Sequence, residues 1–311
     1  AAQPDYHFVK GTQFFKSAQE TGQFIPCDEM ASSKVPGASD DDLVIEHPRL
    51  DFISYPYEWS FEALKRAALL HLDLQIAALK EDVIFSDASA YNVQFQLGAP
   101  IFIDATSLKR YKEGEPWLAH KQFCESFLAP LVLQAKKNIP FQPWYRGSVE
   151  GIPIADLAHM MRWKDYVSPV ILSHIILPAM VEKQDSEKLA NQAKQSIKKG
   201  ISKNGYNAIL HQLRRFVESL HIKSKEKSTW GDYSTHNSYL PKETEDKVNV
   251  IKNIVTEHQP HTVVDIGCND GLFSTTALDA GAKLAIGFDF DHPSLNRAFT
   301  RANKENLNFL P

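Results

Sequence analysis

Hydrophobic residues recur at helical spacing over long stretches of this chain. The clearest case follows Ser60, a residue type suited to cap a helix, and its apolar positions are Phe61, Leu64, Ala68, Leu72, Ile76 and Leu79. The same spacing predicts helices at Gln13–Glu20, 117–134, 206–220 and about 241–258, with Pro130 bending the second of these. The apolar run 167–180 is broken by two prolines and by polar residues, which predicts a buried helix or turn and not a membrane span.

Shorter apolar runs predict strands. Residues 93–97 alternate at period two, Gly98-Ala99-Pro100 turns the chain and 101–103 returns, which is typical of a β-hairpin. Residues 43–45 look extended after a Ser-, Gly- and Asp-rich stretch, 31–42, that we expect to be a mobile loop. Near the end, the pattern predicts a strand at 263–266, followed by a glycine loop and a helix that stops at Gly281. A second apolar run, at 284–288, predicts the next strand. Pro293 then opens another helix, and 307–310 starts a third strand.

These elements predict an α/β protein with two main parts. Residues 1–54 form an N-terminal extension, 55–227 a mostly helical region with a small hairpin and a basic linker, and 228–311 the start of an α/β domain. The lysine-rich segment 181–227 is either a solvated helix face and linker or a surface for RNA or an acidic partner. The polar and aromatic segment Trp230 to Tyr239 either links the two parts or covers a ligand crevice.

Composition narrows the class of protein. The 311 residues are 43% hydrophobic and 23% charged, as in ordinary globular proteins, and the net charge of −4 argues against a general nucleic-acid-binding role. Cys27, Cys124 and Cys268 are widely spaced, with no CxxC pair to indicate a metal site. We therefore predict a cytoplasmic protein with no metal site and no membrane partner.

Three polar residues flank the hairpin: Asp87, Asn92 and Asp104. Their order resembles the catalytic lobe of protein kinases. The resemblance implies that Asp87 is the catalytic base and that Asn92 and Asp104 bind magnesium with ATP. Phe85-Ser86 and Ala105-Thr106 depart from the kinase motifs, and no glycine-rich phosphate loop precedes them. The alternatives are an inactive kinase-like lobe, or side chains that only cap turns.

The glycine loop carries the most specific signal in the chain. It follows the strand as Asp265-Ile266-Gly267-Cys268-Asn269-Asp270-Gly271, and Asp289 follows the next strand. The dinucleotide fingerprint Gly-x-Gly-x-x-Gly is broken, because Asn269 occupies its second glycine position. Carboxylates beside the loop repel a pyrophosphate and favour a cationic ligand, such as the sulfonium and ammonium groups of S-adenosylmethionine. The alternative is that the two glycines only end a strand and start a helix.

The order of these residues resembles class I S-adenosylmethionine-dependent methyltransferases over roughly residues 230–311. Similarity extends to a bacterial group of methyltransferase-like proteins, some of them nodulation-related. The resemblance implies that the methionine end of S-adenosyl-L-methionine lies against Asp265, Gly267, Cys268, Asn269 and Gly271. It also implies that Asp289 holds the ribose and that Phe290 abuts the adenine. The methyl acceptor and the catalytic base cannot be named from the sequence.

The predicted domain is shorter than the family pattern. A class I sheet continues through several more strands, whereas the sequence stops at Pro311. We therefore expect a truncated domain that lacks the loops that complete the adenine pocket. Besides a methyltransferase and a kinase-like enzyme, a third possibility is a non-catalytic scaffold that keeps both folds only to bind other molecules.

Overall fold

The computed structural model describes residues 3–183, 200–222 and 241–311. Contacts divide the chain into two units, each built from separate segments. The first unit comprises Ala1–Tyr57, Lys65–Gln94 and Ile101–His221. The second unit comprises Glu58–Leu64, Phe95–Pro100 and Ile222–Pro311.

Together with short 3-10 and π-helical turns, α-helices account for most of the described chain. In chain order they are α1 Gln3–Lys10, α2 Gln13–Glu20, α3 Phe61–Lys80, α4 His120–Phe123, α5 Ala129–Val132, α6 Gln142–Gly147, α7 Ile154–Met160, α8 Pro169–Ile171, α9 Leu177–Lys183, α10 Lys203–Ser219, α11 Pro241–His258, α12 Leu272–Asp279 and α13 His292–Glu305. The strands are β1 Asp28–Met30, β2 Val44–Glu46, β3 Val83–Phe85, β4 Val93–Gln96, β5 Ala99–Phe102, β6 Leu108–Arg110, β7 Thr262–Ile266, β8 Leu284–Phe288 and β9 Phe309–Leu310. None of the helices in these described ranges is long and apolar enough to cross a membrane.

The long helix α3 follows directly from its sequence pattern. The Ser60 hydroxyl caps the start of the helix by accepting a hydrogen bond from the Ala63 amide at 3.3 Å. The residues predicted to form its apolar face, from Phe61 to Leu79, are buried. The predicted helix is therefore confirmed.

Two helical stretches are interrupted by π-helical turns. Between α4 and α5 the segment Cys124–Leu128 is π-helical, as is Leu133–Lys137 after α5, and Leu172–Ile176 joins α8 to α9 in the same way. Pro130 lies in the first turn of α5, where its missing N–H breaks the regular hydrogen-bond ladder. The predicted helix at 117–134 thus exists but begins at His120 and ends with the π-helical turn at Lys137. The run at 167–180 is helical as well.

The first unit has an aromatic core around His71 of α3. Its ring stacks on Phe123 with centroids 5.7 Å apart, and Phe85, Phe102 and Phe127 surround it at 5.1 to 5.9 Å. These residues come from α3, β3, β5 and the helix around Cys124–Leu128, so they join elements far apart in sequence. The small sheets of this unit, β1-β2 and β3-β6, are antiparallel pairs.

The hairpin turn differs from its prediction. The strands β4 and β5 enclose Leu97 and Gly98, both with positive φ (50° and 72°), whereas the sequence pattern predicts a turn at Gly98-Ala99-Pro100. A two-residue turn with positive φ at both positions matches the twist of the strands, which explains the shift. Ala99 and Pro100 instead belong to β5.

The second unit contains a parallel sheet in the order β7-β8-β9. The helices α12 and α13 connect its strands. Ala277 and Ala282 form a core with Val255 of α11, and Ala285, Ala298 and Phe309 form another. Among the described strands, β7 pairs on one side only, and Val264 and Ile266 are 54% and 86% exposed.

Most other element predictions agree with the structure. The helices at 13–20 and 241–258 and the helix opened by Pro293 lie where predicted, while the helix predicted at 206–220 spans Lys203–Ser219. The predicted mobile loop at 31–42 contains a short 3-10 turn, Ser32–Lys34. Residues 184–199 and 223–227 of the basic segment, the boundary near residue 227 and the segment from Trp230 to Tyr239 lie outside the described residues.

Candidate functional site

The glycine loop lies at the carboxyl ends of two adjacent parallel strands. In the register of β7 and β8, Asp265 is opposite Gly287 and Ile266 is opposite Phe288. The amides of Gly267 and Cys268 donate to the Phe288 carbonyl at 2.7 and 3.1 Å, which ties the loop to the end of β8. The loop and the end of β8 therefore lie together at the edge of the sheet where open α/β proteins commonly bind ligands.

Asp289 is fixed by two backbone amides. Its carboxylate accepts hydrogen bonds from Asn269 in the loop and from Asp291, both at 2.8 Å. These contacts orient the side chain without using all of its hydrogen-bond acceptor positions, because an ionised carboxylate has about four of them. The remaining positions can accept hydroxyl groups from a ligand.

Asp265 is held from the other side of the loop. The hydroxyl of Ser274, a fully buried residue of α12, donates to the Asp265 carboxylate at 2.7 Å. This contact orients Asp265 and partly compensates its desolvation.

The two loop glycines have different surroundings. Both have positive φ, 84° at Gly267 and 82° at Gly271, a region that non-glycine residues rarely adopt. A Cβ at Gly267 would meet no atom within 4 Å, whereas a Cβ at Gly271 would overlap the Phe309 ring, with its Cζ 2.8 Å away. Gly267 therefore leaves open space at the site, and Gly271 allows α12 to pack closely on β9.

Cys268 and Phe290 differ in their exposure to solvent. Cys268 is 3% exposed and packs in the core with Phe309. Burial, and then the negative charges of Asp265 and Asp289, raise the pKa of this thiol to about 12, so it is not a nucleophile at neutral pH. Phe290 is 77% exposed beside Asp289, and its ring is accessible to a planar ligand.

The residues that support the two carboxylates lie outside the motifs visible in the sequence. Besides Ser274, these include Asp291, which is buried and accepts a hydrogen bond from Ser294 at 3.0 Å; Arg297 in turn donates to Ser294 at 2.9 Å. Ser274 lies in the first turn of α12, on the face toward β7. The sequence gives no distinctive signal for this role, because Thr275 and Thr276 follow Ser274 in the same helix.

The residues of the kinase-like pattern lie together only in part. The Asn92 amide donates to the Asp104 carboxylate at 3.4 Å. Asp87 accepts from the Ser89 amide at 2.7 Å, and Asp104 accepts from the amide and hydroxyl of Thr106 at 2.8 and 2.6 Å. Asp87 and Asp104 thus stabilise local turns, as side chains of this type commonly do.

Comparison with known proteins gives two similarities. The chain is 42% identical over 268 residues to the nodulation protein NoeA of Rhizobium meliloti (strain 1021), a match that covers 86% of this chain and 56% of NoeA. A 49-residue stretch, 16% of this chain, is 43% identical to 17% of the ribosomal protein L11 methyltransferase of Colwellia psychrerythraea. The chain therefore spans only a little over half the length of NoeA.

No family model matches the chain, and no solved structure matches it. Neither similarity supports the kinase-like interpretation.

Proposed function

We propose that this protein is an S-adenosylmethionine-dependent methyltransferase whose cofactor binds at the glycine loop of the second unit. The observation that carries the proposal is the pair of oriented carboxylates, Asp265 and Asp289, at the ends of adjacent parallel strands. The similarity to a ribosomal protein L11 methyltransferase supports methyl transfer. The parallel sheet supports a Rossmann-like domain.

The residues of the loop fit the charge and shape of this cofactor. Asp265 and Asp270 favour its ammonium and sulfonium groups, and the open space at Gly267 admits a close approach to the backbone. The free acceptor positions of Asp289 suit the two ribose hydroxyls, and the exposed Phe290 suits the adenine ring.

Asp265, Asp289 and the loop glycines would hold the cofactor, which would supply an activated methyl group for transfer to an acceptor nucleophile. The role of the loop residues is to fix the cofactor so that donor and acceptor are in line.

Replacing Asp289 with asparagine is expected to weaken binding of S-adenosylmethionine by roughly 10- to 100-fold, because a hydrogen bond to a charged group contributes about 1.5–3 kcal/mol. Titration calorimetry on the full-length protein measures this directly. Asp279→Asn is the matched control, since Asp279 is exposed at the end of α12. Failure of the native protein to bind the cofactor, or equal affinity in Asp289→Asn, would contradict the proposal.

A further inference from the structure

Three side chains with metal-binding atoms converge inside the first unit: His120, Cys124 and His174. Nε2 of His120 lies 2.7 Å from Nδ1 of His174 and 3.6 Å from Sγ of Cys124. All three atoms lie within 4.8 Å of one another. They are remote in sequence from the glycine loop and play no part in the proposed methyl transfer.

The helices that present these residues are locally distorted at the cluster. His120 and Cys124 are four residues apart and so share one helix face. Cys124 begins the π-helical turn Cys124–Leu128, and His174 lies in the middle of the π-helical turn Leu172–Ile176. Such turns re-aim side chains and are frequent at functional sites. Two π-helical turns therefore meet at this cluster, and this backbone feature supports a functional site independently of the side-chain distances.

The surroundings favour a soft divalent metal. Cys124 is fully buried and His174 is 5% exposed, while His120 is partly exposed and gives an ion a way in. Two imidazole nitrogens and one thiolate are a donor set typical of zinc.

The distances are close to those of a tetrahedral zinc site. With Zn–N bonds of about 2.05 Å and a Zn–S bond of about 2.3 Å, tetrahedral angles separate nitrogen and sulfur by about 3.6 Å and two nitrogens by about 3.3 Å. The distance from Nε2 of His120 to Sγ of Cys124 already matches, and the nitrogens of the two imidazoles need to move apart by about 0.6 Å. The competing interpretation is a simple hydrogen bond between two neutral imidazoles.

We propose that His120, Cys124 and His174 bind one Zn²⁺ ion, with a fourth position open to water. On binding, a Zn–S bond replaces the S–H bond of Cys124 and the thiol proton passes to solvent. The ion joins the helix that begins at His120 to the helix that contains His174.

The test is metal binding to the full chain, first stripped with a chelator. We expect one zinc ion per chain after dialysis against Zn²⁺, a higher melting temperature with the ion, and a thiolate-to-cobalt charge-transfer band with Co²⁺. Cys124→Ser is expected to abolish the band and to weaken zinc binding at least 100-fold. His174→Gln is expected to weaken zinc binding to a similar degree while keeping the thiol.

Cys27→Ser is the matched control, because Cys27 is a free cysteine outside the cluster. It is expected to keep both the zinc and the band. Circular dichroism of the metal-free variants separates lost ligands from lost folding. Should the Cys124 variant misfold, the cobalt spectra of the native protein and of Cys27→Ser decide the question. A native protein that binds no zinc, a cobalt complex without the thiolate band, or a band lost in Cys27→Ser would overturn the proposal.

Discussion

Replacing Gly271 with alanine is expected to destabilise the second unit by about 3 kcal/mol. About 1–2 kcal/mol comes from placing a side chain in the left-handed region, where Gly271 has φ 82°. The rest comes from steric overlap of the new methyl group with the ring of Phe309, which is fully buried. Thermal or denaturant unfolding followed by circular dichroism measures the loss.

Gly267→Ala is the matched control for this experiment. Gly267 has nearly the same φ, 84°, but its Cβ would meet no atom, so a loss of only about 1–2 kcal/mol is expected. Cofactor binding should show the reverse order, since the space at Gly267 is where the ligand is proposed to approach. Equal destabilisation by the two substitutions would refute this division of roles.

Stability is expected to fall as the pH drops from about 7.5 to 5, in part because of His71. Burial lowers the pKa of His71 from 6.5 to about 3, and neither ring nitrogen has a hydrogen-bond partner among the described residues. Between the two pKa values the His71 imidazole binds a proton in the unfolded chain but not in the folded chain, so unfolding is favoured as the pH falls. Above pH 6.5 the penalty disappears.

His71→Leu isolates this effect from that of His120 and His174, whose pKa values burial also lowers. The native protein should lose about 2 kcal/mol more than the variant between pH 7.5 and 5. Denaturant unfolding at the two pH values measures the difference. Parallel pH profiles for the two proteins would show that His71 does not carry this dependence.

The periodic spacing of hydrophobic residues predicted the long elements well, because the residues that make the pattern are the ones that the fold buries. The apolar face of α3 and the order of strand, loop and helix around Asp265 needed no tertiary information. Turn positions were harder, since the Leu97-Gly98 turn depends on strand twist and not on which residues are most turn-prone. The π-helical turns at Cys124 and Leu172 had no visible sequence signal apart from nearby prolines.

The candidate sites divide in the same way. Asp265, Gly267 and Asp289 could be identified from spacing, because the loop residues lie within seven positions and the strands adjoin in sequence. His174 could not be connected with His120 and Cys124, since the three meet only through packing of helices 50 residues apart. The distinct surroundings of Gly267 and Gly271 likewise depend on β9, which follows α12 by some thirty residues.

The one-sided pairing of β7 has a consequence for handling the protein in solution. Among the described residues, the outer edge of β7 has no partner strand, and such an edge beside exposed Val264 and Ile266 is a template on which another extended segment can add by backbone hydrogen bonding. Self-association should therefore grow with concentration and begin at this edge. Lysine at Ile266, whose side chain is 86% exposed, is the substitution best placed to suppress it without disturbing the core.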